Sequence, residues 1–204
     1  VDQALRFMHG GCEGFSVSWS PDSRWFTYDR ELDNYHNAVY IYDTQNKKLQ
    51  QVTDGFYNCN NPVFDTEGKY LYLTTNQNFT PYYSDIDNSF IYGNSTQIAA
   101  ISLKKSTPSI LFAKNDTVAV KIDGDKKDDK KKDSAAKKST AVEIDFDGIQ
   151  ARMVLLPMPA ANYGNLAAVK GKIIYQKFPN LGSDRDAKPA LKYYDLDKRE
   201  DKTI

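Results

Sequence analysis

Val17-Ser-Trp19-Ser-Pro21-Asp22-Ser-Arg24-Trp25-Phe-Thr-Tyr28 decides the fold, because it returns about forty-five residues later. The second copy is Pro62-Val63-Phe64-Asp65-Thr-Glu67-Gly68-Lys69-Tyr70-Leu-Tyr72-Leu73, and a degenerate third is Leu166-Ala-Ala-Val169-Lys170-Gly171-Lys172-Ile173-Ile174-Tyr175. Each copy pairs a short apolar strand with a polar turn and a second strand of alternating aromatic and β-branched residues. Units of forty to fifty residues built from short strands are the blades of a β-propeller. The expected fold class is therefore all-β: a partial propeller of about three four-stranded antiparallel blades.

Working outward, the first blade spans about residues 15–54. Its strands are expected near 15–19, 24–29, 38–43 and 48–53, with Thr44-Gln-Asn46-Lys47 as a turn. Residues 1–14 read as the end of a preceding blade. The second blade spans about 60–157 and carries two interruptions. Thr74 to Thr96 is a long loop with Phe79, Tyr82, Tyr83, Phe90 and Tyr92, whose aromatics are expected to pack it down. Lys121 to Thr140 is nearly all lysine, aspartate, serine and alanine, too polar to offset the entropy of ordering, and is expected to be a flexible, protease-sensitive insertion at 121–140. Val142, Ile144 and Phe146 alternate with Glu143, Asp145 and Asp147, which predicts a half-buried strand completing this blade. The third blade spans about 162–204, with strands near 164–169, 172–178, 190–196 and 201–204. Three blades cannot close a ring of four or more, so the chain reads as part of a longer propeller.

Composition narrows the function classes. Twenty-seven basic side chains balance 27 acidic ones, and the pI is ≈ 6.9. Neither nucleic acid nor an acidic membrane surface is favoured as a partner. No apolar run approaches the roughly twenty residues of a membrane span. The chain begins at Val1, so the lack of a targeting segment leaves a periplasmic or a cytoplasmic compartment equally open. Cys12 and Cys59 lie about one repeat apart. Two buried free thiols are the plainer reading, and a disulfide between adjacent blades is the alternative.

Candidate chemistry is sparse. His9 and His36 are the only histidines, and no Gly-x-Ser-x-Gly turn, glycine-rich phosphate loop or Cys/His metal spacing occurs. His36 is expected to make an ordinary loop contact. Asp145 and Asp147 could share a strand face as a carboxylate pair, but outward-facing surface aspartates explain them better. Asp85 and Asp87 invite the same reading. Asp123-Gly-Asp125 lacks the further ligands of a calcium loop, and the sequons at Asn78, Asn94 and Asn115 are expected by chance in so Asn-rich a chain. No catalytic residue, no metal site and no cofactor are expected here.

The repeat wording resembles the propeller units shared by TolB and tricorn-type peptidases. Val52-Thr-Asp-Gly-Phe-Tyr57, the loop from Phe79 through Tyr83-Ser-Asp to Phe90-Ile-Tyr, and Val142-Glu-Ile-Asp-Phe-Asp-Gly-Ile-Gln-Ala-Arg152 with Leu156-Pro157 and Asn162-Tyr-Gly164 are similar to the tricorn branch. That resemblance implies a non-catalytic propeller segment of a serine peptidase, serving substrate access, channelling and domain docking. Its catalytic serine, histidine and glutamate would then lie beyond Ile204. The implied partners are the remaining blades and the peptidase domain of the same polypeptide, together with peptide substrates; homo-oligomer formation is left open. The alternatives are a TolB-like protein-binding propeller without activity and the propeller lid of a prolyl-oligopeptidase-like hydrolase.

Overall fold

The computed structural model describes residues 16–78, 80–113, 141–184 and 186–204. Within them lie three four-stranded antiparallel sheets, a two-stranded hairpin and one 3-10 turn, Gln150–Arg152. The first sheet runs in chain order through β1 (Ser18–Trp19), β2 (Trp25–Glu31), β3 (Asn37–Asp43) and β4 (Lys48–Gln51). The second is built from β5 (Cys59–Phe64), β6 (Tyr70–Thr75), β9 (Gln97–Ser102) and β10 (Met153–Leu155). Between its second and third strands stands the hairpin of β7 (Tyr82–Ser84) and β8 (Ser89–Ile91). The third sheet comprises β11 (Asn162–Val169), β12 (Lys172–Phe178), β13 (Ala190–Asp195) and β14 (Glu200–Thr203). The result is a partial β-propeller whose three blades do not close a ring.

The turn chemistry explains why the strands reverse where they do. Ser23 (φ 58°), Gly68 (φ 68°) and Gly171 (φ 74°) take the left-handed conformation at equivalent places in the three inner hairpins. That region admits glycine freely and small polar residues at modest cost. At Gly68 a Cβ would meet Val142 Cγ2 at 2.5 Å, so space as well as φ requires glycine there. The β3–β4 turn is held by Asp43, whose Oδ1 accepts from the Gln45 and Asn46 N–H groups at 2.9 and 3.1 Å. Asp195 repeats the device in the third sheet, accepting from Asp197 and Lys198 N–H at 3.0 Å each.

Strand parity builds the core. In the middle sheet, Leu71, Leu73, Ala99 and Ile101 face the first sheet's Trp25, Val39 and Ile41 in one cluster. Their neighbours Tyr72, Ile98 and Ala100 face Ile173, Tyr175 and Tyr194 of the third sheet in another. The middle blade is covered on both sides, which is why Leu71–Thr75 and Ile98–Ser102 are buried without a break.

Two expectations are corrected. Residues 141–147 join no ladder; the outer strand of the middle sheet is β10, paired with β9 from Met153↔Ile101 to Leu155↔Ala99. The predicted alternation is real, with Val142 2% exposed, but it belongs to a strap laid across two blades. Val142 O accepts from Trp25 Nε1 (3.0 Å), Val142 N donates to Asp22 Oδ2 (2.7 Å), and Asp145 N donates to Leu103 O (2.9 Å). Arg152 closes the strap by donating to the carbonyls of Ser102, Leu103, Asp145 and Asp147. Sequence periodicity reports burial, not ladder pairing, and here side-chain and carbonyl partners satisfy the backbone instead. Second, the aromatics of the 74–96 excursion do not pack it down. Tyr82, Phe90 and Tyr92 are each more than half exposed, and Tyr83 meets Phe90 edge-on at 5.7 Å. A hairpin ladder, rather than an apolar underside, holds this loop. The expectations on residues 1–14, on 121–140, and on His9, Cys12, Phe79, Asn115, Asp123 and Asp125 lie outside the described residues.

Candidate functional site

The innermost strands of the three blades, β1, β5 and β11, stand side by side, β5 packing against both others. Along them runs a groove of about 520 Å³ lined by Ser16–Trp19, Asn61–Val63 and Asn165–Ala168. Among the described residues, no charged side chain lines it.

Two of these strands carry the same irregularity. On β5 the register steps from Asn60↔Thr74 to Val63↔Tyr72, inserting one extra residue, and Asn61 takes φ 52°. On β11 it steps from Gly164↔Gln176 to Ala167↔Ile174, and Asn165 takes φ 52°. Each is a β-bulge with asparagine in the left-handed region. Pro62, with no N–H to donate, suits a place where the ladder is already broken. Both bulges set an asparagine into the groove.

At one end of the inner strands the groove meets a polar cleft of about 350 Å³, and Ser16 and Asn61 line both. Among the described residues, the cleft is lined almost wholly by amides and hydroxyls, with Asp29 the one charged group. Asp29 Oδ1 accepts the Asn61 N–H at 3.2 Å. Burial pushes the Asp29 carboxyl up from its ordinary value, and the backbone N–H of Asn61 opposes that only in part. The asparagines form a chain: Asn37 N donates to Asn58 Oδ1 (2.8 Å), Asn37 Nδ2 to Asn60 Oδ1 (2.5 Å), and Asn58 N to Asn76 Oδ1 (2.9 Å). Beyond the cleft, at the same end of the blades, stand the β7–β8 hairpin, the β2–β3 loop with Tyr35, 81% exposed, and the β4–β5 loop with Phe56, 69% exposed.

Those residues singled out from the sequence that are described make structural contacts. His36 Nδ1 meets Gly55 O at 3.1 Å, a loop contact. Asp145 and Asp147 both serve Lys105: Asp145 Oδ2 accepts its N–H at 2.8 Å and Asp147 Oδ2 its Nζ at 2.6 Å. Asp87 accepts the Ser89 hydroxyl at 2.8 Å inside the β7–β8 turn. Asn94 Oδ1 accepts from Asn162 Nδ2 and Leu181 N, both at 2.9 Å, so that sequon has a structural task. Cys59 is a buried free thiol, its Sγ donating to Thr75 Oγ1 at 3.6 Å, and burial pushes its pKa up. Among the described residues, no group of three or more His, Cys, Asp or Glu side chains is placed to hold a metal, and no helix is long and apolar enough to cross a membrane. Sequence reasoning missed Asp29 and the asparagines. The available signal was the asparagines at 60 and 61, a residue type strands disfavour, inside a strand, with a third at 58 just before it.

The family model for the tricorn protease second beta propeller domain matches residues 11–204. Tricorn protease homolog 1 of Streptomyces coelicolor (strain ATCC BAA-471 / A3(2) / M145) is 23% identical over 189 residues, covering 87% of this chain. A second tricorn protease homolog of that organism is 24% identical over 200 residues, covering 89%. The chain spans only 17% and 16% of the lengths of these relatives. Among solved structures, the tricorn protease superposes with a TM-score of 0.66 at 19% identity, over 92% of this chain and 18% of its own. TolB from Acinetobacter baumannii gives 0.53 at 10% identity, over 94% and 32%. At these identities the structures speak to the fold.

Proposed function

Since this chain belongs to the family of tricorn protease second β-propeller domains, we propose that its inner strands form part of a passage by which peptides reach a peptidase centre elsewhere in the polypeptide. One observation carries the reading: the uncharged groove across β1, β5 and β11, joined to the amide-lined cleft through Ser16 and Asn61. A passage must let many sequences slide without trapping any. Neutral amides, hydroxyls and small apolar side chains offer weak, exchangeable contacts that favour no particular charge. The bulges at Asn61 and Asn165 place donors and acceptors along it, matching the alternating N–H and C=O groups of an extended peptide.

The same reading gives the hairpin end a docking task. Tyr82, Tyr83, Phe90 and Ile91 expose more apolar surface there than an isolated loop needs, and exposed aromatic clusters mark contact surfaces. A neighbouring domain of the polypeptide is the partner this supports.

Obstruction tests the passage. Ala167 is exposed and lines the groove, so Ala167→Trp fills space without disturbing the core. In the intact protein, kcat/KM for a peptide of about a dozen residues is expected to fall about tenfold, while a short fluorogenic dipeptide is cleaved as before. Equal rates for wild type and variant on the long peptide would sink the proposal.

A further inference from the structure

Asp29 stands in an environment that the passage reading leaves unexplained. It lies toward the end of β2, half-buried, beside a cleft to which no other charged side chain among the described residues contributes. Its carboxylate accepts the Asn61 N–H at 3.2 Å and interacts with its own backbone N–H, neutral backbone donors only, for a group that can accept about four hydrogen bonds. Among the described residues, no lysine, arginine or histidine contributes to its ionisation. The neighbouring Arg30 is engaged elsewhere: its Nη2 donates to Tyr40 Oη at 2.7 Å and its guanidinium stacks on the Tyr40 ring at 4.1 Å. A partly desolvated anion with so little compensation is costly unless something arrives to pair with it.

The rest of the cleft says what could arrive. The amide oxygens of Asn58 and Asn76 accept backbone N–H groups, which fixes the amide orientation, and Asn60 Oδ1 accepts from Asn37 Nδ2. The Nδ2 groups of Asn58, Asn60 and Asn76 therefore remain as donors, with no protein acceptor among the described residues. A bare metal ion would need those oxygens as ligands and would meet N–H donors instead. A group that brings one positive charge and several carbonyl oxygens fits both halves of the cleft. A peptide carrying an ammonium does so.

We propose that Asp29 pairs with a primary ammonium of a peptide ligand, while the side-chain amides of Asn58, Asn60 and Asn76 donate to the carbonyl oxygens beside it. Two sources carry that chemistry, the free α-amine at a peptide's N-terminus and the side chain of an internal lysine. The inference rests on the passage reading and deepens it. Along the uncharged groove any peptide moves alike; at the cleft, one with an ammonium pauses.

The test is a binding titration on the intact protein, read by fluorescence anisotropy. The probes are three hexapeptides of alternating alanine and glycine labelled at the C-terminus: one with a free α-amine, one N-acetylated, and one N-acetylated with a lysine at the second position. Acetylation is expected to raise Kd about tenfold or more, the loss typical of a charge-assisted hydrogen bond. Recovery of affinity by the lysine peptide assigns the side chain as a second source; no recovery assigns the α-amine alone. Asp29→Asn keeps an acceptor for the Asn61 N–H, so the β2–β5 contact is retained. It is expected to weaken the free-amine peptide to the level of the acetylated one and to leave the acetylated one unchanged. Equal Kd for all three probes on wild type would overturn the Asp29 inference and leave the passage reading standing. Absence of binding by every probe into the millimolar range would likewise overturn the Asp29 inference, the passage reading being decided separately by Ala167→Trp.

Discussion

At the scale of single residues, Asp43 shows how one side chain sets a turn and ties two strands. It is 3% exposed and accepts from Arg24 Nη2 (2.7 Å) and Nε (3.3 Å) as well as from the turn N–H groups. The Arg24 guanidinium holds its carboxyl well below the usual carboxylate range. A depressed folded-state pKa means stability that is full above the unfolded value, about 3.9, and is lost as pH falls through the folded value. Asp43→Asn keeps the turn acceptor but not the charge. It is therefore expected to be less stable than wild type in urea at neutral pH, with the gap between midpoints closing as pH falls below about 4. A gap that stays constant down to about pH 2 would mean that the charge does not contribute. The capping aspartate was legible, since Tyr42-Asp43 and Tyr194-Asp195 stand before polar turns in matching strands. Its pairing with Arg24, nineteen residues away, was not.

Among the elements, the strap of residues 141–149 separates what periodicity can and cannot tell. Its apolar residues alternate as a strand's would, and Val142 does reach the core. Its backbone, however, bonds to Asp22, Trp25 and Leu103, groups drawn from two different blades. Trp25→Phe keeps most of the buried ring and removes the Nε1–H that meets Val142 O. The carbonyl loses its partner in a buried setting, so a cost of about 1–2 kcal/mol is expected. Hydrogen exchange should locate the effect, with the amides of Val142 and Asp145 exchanging faster while those of β6 and β9 keep their protection. Uniform acceleration across the middle sheet would instead point to general loss of packing. The middle blade's parity was easier to read. Leu71-Tyr72-Leu73 and Ile98-Ala-Ala-Ile101 alternate between two cores rather than between core and water.

For the whole molecule, the three blades bring their inner strands together along the groove and gather their longer loops at the cleft end. The hairpin β7–β8, Tyr35 and Phe56 all stand there. If that end receives a neighbouring domain, the β7–β8 amides are expected to exchange at least tenfold more slowly in the intact protein than in this chain alone. Equal exchange in both would place the docking contact elsewhere or remove it. The sequence by itself determined the blade repeat, most of its strands, the inner turns at Ser23, Gly68 and Gly171, and the absence of any motif for a nucleophile or metal. Those are local properties, written in residues a few positions apart, where propensity and alternation act directly. Only the tertiary structure decided that Asp29 would meet Asn61, that two bulges would fall at equivalent places along the inner strands, and that the strap would bridge blades. Such meetings depend on how separate sheets stack and on where ladders slip by one residue, and neither leaves a period in the chain for a reader to find.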